Sequence, residues 1–127
     1  MKKILFIIFL TSLGIASCKK AEKSDNPFFN TYDTPFEVPP FEQIKAAHFM
    51  PAYLKGMEEE TKEIKAIITN TSEPTFENTI KTLEYTGELL TKVSRVFGAL
   101  NSANTNDTLQ KINRELSLRF FPNTAMI

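Results

Sequence analysis

The sequence predicts an all-α protein: an antiparallel helical hairpin plus a partial third helix, preceded by an extended, proline-rich tether. Three observations carry this. Apolar residues recur at steps of three and four from Met50 to Leu116, the helical period. Prolines 27, 35, 39 and 40 exclude a helix from the stretch before that region. Turn-forming clusters at Asn70 to Pro74 and Asn101 to Asp107 divide the periodic region into three rods.

Composition narrows the chemistry. The chain has 127 residues, 15 Lys+Arg against 15 Asp+Glu, one His, one Cys and no Trp. That length allows one modest domain. Zero net charge gives no electrostatic footprint for nucleic acid, and none is expected as a partner. One Cys excludes an intrachain disulfide and a Cys-rich zinc site. One His excludes an HExxH motif and any paired-imidazole metal site.

Residues 1–17 read as an export signal. Lys2 and Lys3 form a cationic start, and Ile4 to Leu10 is unbroken apolar sequence. Apolar character fades by Ala16, short of the roughly 20 residues of a spanning helix. Ile15-Ala16-Ser17-Cys18 resembles the bacterial lipobox, whose small residues fit a narrow peptidase cleft. Cys18 is therefore the expected lipidation site, its thiol taking diacylglycerol and its freed α-amine a further acyl chain. Two or more chains anchor stably where one does not. The expected location is exported and lipid-anchored to a bacterial membrane, at the outer membrane or the periplasmic side, and the absence of Asp after Cys18 favours the outer membrane in a Gram-negative host. Removing residues 1–17 takes Lys2 and Lys3 with it and leaves a mildly acidic body.

Residues 18–40 form the lipidated Cys and an extended Pro-rich segment. Phe28, Phe29, Tyr32 and Phe36 punctuate it, and a purely flexible tether has no use for four rings. They are expected to anchor the segment across a helical body from about Asn26 onward.

Residues 41–117 form the helical region. Phe41 to Ala47 makes one or two turns, and Pro51 fits the first turn of a helix. Met50, Tyr53, Leu54, Met57, Ile64, Ile67 and Ile68 mark its apolar face, and Glu58 precedes Lys62 in the favourable i,i+4 order. Thr75 is the expected N-cap of the second rod, with Glu77 in the first turn. Phe76, Ile80, Leu83, Leu90, Val93, Phe97 and Leu100, with Gly87 on the stripe, give one seam about seven turns long. Gly87 there implies close approach of a neighbouring backbone, at about 1 kcal/mol relative to Ala. Leu109, Ile112 and Leu116 give the third rod its face. Three half-apolar rods make an open layer, built to pack against something larger.

No catalytic set is legible. His48 has no second His or nearby Cys, and reads as a helix-start residue bonding backbone. Glu58, Glu59 and Glu60 point about 100° apart and form a solvated face. No nucleophile elbow or phosphate loop occurs, and Met50 and Met57 read as core. No catalytic, cofactor or metal residue is assigned.

Asn26-Pro27-Phe28-Phe29, Thr34-Pro35-Phe36, Pro39-Pro40-Phe41, Ile44 and His48-Phe49-Met50-Pro51-Ala52 resemble the N-terminus of a family of zinc peptidases. The family contains thimet oligopeptidase, oligopeptidase A and bacterial peptidyl-dipeptidase. The most specific segment is Pro74-Thr75-Phe76-Glu77-Asn78-Thr79-Ile80, followed in order by Leu83-Glu84, Gly87, Leu90, Val93, Val96-Phe97 and Leu100. The resemblance covers residues 26–117, and with the lipobox is most similar to the exported peptidyl-dipeptidases. It implies a helical two-lobed enzyme several times longer, with a channel for short peptides. In it an HExxH helix and a downstream Glu hold zinc, and the motif Glu is the general base. None of those positions lies in this chain, so zinc belongs to the full-length family and none is bound here. The implied partners are the remaining lobe of the peptidase and, for the whole enzyme, short peptides.

Residues 118–127 depart from the family pattern. Codons can be written for them that, read two bases later, give Pro-Leu-Leu-Ser-Gln-His-Ser-Asp-Asp, the family's continuation. The expectation is a frameshifted, aberrant tail after Ser117 and an inactive N-terminal fragment. The alternative is a small lipid-anchored helical protein-binding module.

Overall fold

The computed structural model describes residues 24–120; the expected signal segment, Cys18 and residues 121–127 lie outside the described residues. All regular structure among them is helical.

The N-terminal strap is extended, as expected, but contains two single 3-10 turns, Pro27–Phe29 and Pro35–Glu37. Each starts on a proline, where the missing N–H is harmless. Asn26 caps the first, its Oδ1 accepting from the Phe28 N–H at 3.1 Å. Phe28 is the true anchor: it is buried and lies 5.3 Å from the Phe49 ring. Phe29 and Tyr32 pack around the same core. Phe36 departs from expectation. It is 99% exposed, because it and Glu37 take left-handed backbone, φ 57° and 55°, and all of residues 35–38 face solvent.

Helix α1 spans Ala46–Ile68 and ends in Thr69, close to the expected stop at Asn70. It begins before the expected start, so Pro51 lies inside it rather than in its first turn. The bond Pro51 cannot make would go to the Ala47 carbonyl; Ala47 is exposed, so water can replace it. Its buried face agrees in part with the expected one: Tyr53 is buried and Met50, Met57, Ile64 and Ile67 are half-buried, whereas Leu54 and Ile68 are exposed. Phe49, Ala52 and Gly56 are buried beside Tyr53. The spacing is the same; the stripe is rotated toward the small residues.

The second rod is not one helix. A π-helical segment Phe76–Lys81 runs into the single turn α2, Thr82–Glu84, and the chain breaks before helix α3, Glu88–Ala103. Thr75 caps the first piece as expected: its Oγ1 accepts from the Asn78 N–H at 3.1 Å, and Asn78 Oδ1 accepts from the Thr75 N–H at 2.8 Å. Gly87 makes the break, with φ 70°, and its N–H donates to Glu63 Oε2 at 2.8 Å. The expected continuous seam is thus divided. Val93, Val96 and Phe97 point inward, whereas Phe76, Ile80 and Leu83 are exposed.

The close backbone approach occurs at Gly56, not Gly87. A Cβ on Gly56 would lie 2.9 Å from Leu90 N and Cα; one on Gly87 would meet the Glu60 carboxylate. Glu63 and Glu60 thus neighbour Gly87, Gly56 neighbours Leu90, and Tyr53 and Phe49 neighbour Phe97. That order runs oppositely along the two helices, so α1 and α3 are the antiparallel hairpin.

Helix α4, Asp107–Phe120, is the third rod. Asn106 Oδ1 accepts from the Leu109 N–H at 3.0 Å, and Leu109 and Leu116 are buried with Ile112 partly so. It runs through Leu118, Arg119 and Phe120, and the Phe120 ring lies edge-on to Tyr53 at 6.2 Å. The core is a chain of rings: Phe28 on Phe49, Phe49 on Phe97, Phe97 on Tyr53. Such tilted and edge-on pairs add to simple apolar burial.

Candidate functional site

Two features could serve function: a cleft under the strap, and an apolar row facing solvent. The cleft has a volume of about 650 Å³ and lies between strap residues Phe28 to Tyr32 and the facing sides of α1 and α3. Lys92 of α3 is its central group. Its Nζ donates to the Asn30 carbonyl at 2.8 Å and the Phe28 carbonyl at 3.3 Å. It also sits 3.9 Å from the centre of the Tyr32 ring. Burial pushes the Lys92 ammonium below the ordinary lysine value of 10.5, with Glu88 and Glu37 pulling the other way. Lys55 lies over the Phe29 ring at 4.4 Å and 3.7 Å from Glu59 Oε1. Both cations are therefore engaged in holding the strap. The Tyr32 hydroxyl is buried with no hydrogen-bond partner among the described residues, and burial raises its pKa.

His48 lies outside the cleft and acts as expected, at the start of α1. Its Nδ1 accepts from the Lys45 N–H at 3.1 Å, and its carbonyl accepts from Asn26 Nδ2 at 2.9 Å. Its carbonyl ties the strap to the helix. Glu58, Glu59 and Glu60 diverge: Glu58 pairs with Lys62, Glu59 with Lys55, and Glu60 lies against Gly87. Among the described residues no three His, Cys, Asp or Glu side chains come together to hold a metal ion. No described helix is long and apolar enough to cross a membrane. The lipidation site expected at Cys18 lies outside the described residues.

Lys92 was missed in the sequence, though a cue exists. Leu89, Lys92, Val93 and Val96 stand at i, i+3, i+4 and i+7, so Lys92 occupies a position the buried stripe reserves for an apolar residue.

The second feature is the row Phe76, Ile80 and Leu83, spaced four and three along the segment before Gly87. These side chains are 68%, 54% and 49% exposed. Their helical spacing puts them on one side, and about half or more of each faces solvent.

No family model matches the chain. It is 45% identical over 92 residues to a dipeptidyl carboxypeptidase of Escherichia coli (strain K12), covering 72% of this chain. It is 38% identical over 94 residues to a dipeptidyl carboxypeptidase of Salmonella typhimurium, covering 74% of this chain. An oligopeptidase A of Escherichia coli (strain K12) is 27% identical over 78 residues, covering 61% of this chain and 12% of that protein. The chain spans about 14% of the length of the two dipeptidyl carboxypeptidases.

Proposed function

We propose that this chain, a homologue of the dipeptidyl carboxypeptidases and oligopeptidase A over about 70% of its length, is the N-terminal part of such a peptidase. The observation that carries the reading is 45% identity over 92 residues to a protein of which these residues make up 14%. In such an enzyme the chain supplies a helical hairpin and its strap. The residues that bind zinc and hydrolyse short peptides belong to the part not contained in these 127 residues. The chain by itself is inactive in this reading, and Leu118 onward follows a shifted reading frame. Export and acylation at Cys18 complete the proposal, on the strength of the lipobox.

The test joins residues 26–117 of this chain to the E. coli dipeptidyl carboxypeptidase in place of that enzyme's homologous segment. The joined protein is expected to release dipeptides and the unjoined chain to hydrolyse nothing. Hydrolysis by the chain alone, or a folded but inert joined protein, overturns the reading. Acylation is checked by the mass of the mature N-terminus, which Cys18→Ser should return to that of an unmodified chain.

A second reading is a lipid-anchored helical binding module, favoured by the exposed row at Phe76, Ile80 and Leu83. A cooperative thermal transition of the monomeric chain supports the module. A molten, dye-binding state supports the fragment.

A further inference from the structure

The break at Gly87 assigns the two halves of one apolar pattern to opposite duties. Val93, Val96 and Phe97 fill the hairpin core, whereas Phe76, Ile80 and Leu83 are turned to solvent. The outward row is well made. A reciprocal Thr75–Asn78 cap fixes its first turn, and the Asn78 Nδ2 amide donates to the Glu73 carbonyl at 2.9 Å. The Lys81–Glu77 pair at 2.7 Å stands beside it. A segment held this firmly presents its apolar side chains in one arrangement.

Resting on the peptidase reading above, we propose that Phe76, Ile80 and Leu83 form the seat on which the rest of the peptidase polypeptide packs. Three considerations favour this occupant. The relatives carry about six-sevenths of their length outside the shared segment, as the 14% coverage requires. The row offers three apolar side chains over the eight residues 76–83. A stable independent interface takes roughly 20–30 residues a side, so a second copy would bind weakly. A lobe joined through the same polypeptide meets the row at an effective concentration of the order of millimolar, where a small apolar seat suffices. A membrane surface fits less well, because Glu77, Lys81 and Glu84 give the rim mixed charge with no cationic excess.

The experiment uses the joined protein described above, so that the row meets its partner within one polypeptide. Limited proteolysis and dipeptide release are followed. The double variant F76D/I80D is expected to make the joined protein at least 10-fold more quickly cleaved. Val38→Asp, a charge on a different exposed apolar residue, is expected to leave the cleavage rate within 2-fold. All replaced side chains are exposed in the free chain, so circular dichroism of the free variants should match the parent. An unchanged cleavage rate for F76D/I80D overturns the seat and leaves the peptidase reading standing. A dimer of the free chain that F76D/I80D dissolves also overturns it. Failure of the peptidase reading shows differently, as inactivity of the folded joined protein with the unaltered row.

Discussion

Lys92 stands where the helical repeat of α3 calls for an apolar side chain, and it keeps its place by satisfying two strap carbonyls. Buried carbonyls without partners are costly, and bonds to a charged donor contribute about 1.5–3 kcal/mol each at most. Lys92→Met is expected to lower stability by about 1–3 kcal/mol, read by urea denaturation, with faster amide exchange confined to residues 26–32. Tyr53 gives a pH prediction. Burial raises its phenol above the ordinary 10.0, partly opposed by a hydrogen bond with the Ser94 side chain. The folded state thus favours the neutral phenol. That contribution is whole below pH 10.0 and is lost as pH rises through the folded value. Tyr53→Phe should therefore flatten the alkaline fall in urea midpoint above pH 10.0. The ordinary role of His48 was legible, because a lone imidazole at a helix start has a backbone partner at hand. Phe36 was not, because left-handed backbone at a phenylalanine leaves no trace in the residue pattern.

The elements show why periodicity alone reads a hairpin only in part. The Thr75 cap, the Glu58–Lys62 pair and the face of α4 are local, and each was visible in the sequence. The break before α3 was not. A glycine on a stripe position reads the same inside a helix as at its end, and the left-handed Gly87 is fixed by Glu63 from another helix. The buried face of α1 was legible only in part, for a related reason. Ala52 and Gly56 carry little hydrophobicity, yet they let α3 come close. Gly56→Ala would press a Cβ on the Leu90 backbone at 2.9 Å, and neither helix can yield locally. It is expected to cost about 1–3 kcal/mol in thermal denaturation. Gly87→Ala is expected to cost about 1–2 kcal/mol through its backbone angle, since its obstacle is the movable end of Glu60.

Across the molecule, cohesion comes from rings and not from ion pairs. The described ion pairs, Lys55–Glu59, Lys62–Glu58 and Lys81–Glu77, are all exposed and each lies within one helical stretch. Such pairs contribute about 0.3–0.5 kcal/mol. Raising salt from about 0.05 to 1 M should therefore change stability by less than about 1 kcal/mol. Phe49→Ala, which empties the joint between Phe28 and Phe97, should cost about 3–5 kcal/mol; paired denaturation curves compare the two. The open layer itself was legible, because three one-sided rods cannot enclose each other's faces. Which side stays open was not, because that depends on the turn at Gly87. The strap has a mechanical consequence. Ser24 and Asn30 clasp each other, Asn26 grips α1 through the His48 carbonyl, and Lys92 grips from α3. A pull arriving at Ser24 is therefore passed to both limbs of the hairpin at once, to α1 through the His48 carbonyl and to α3 through Lys92.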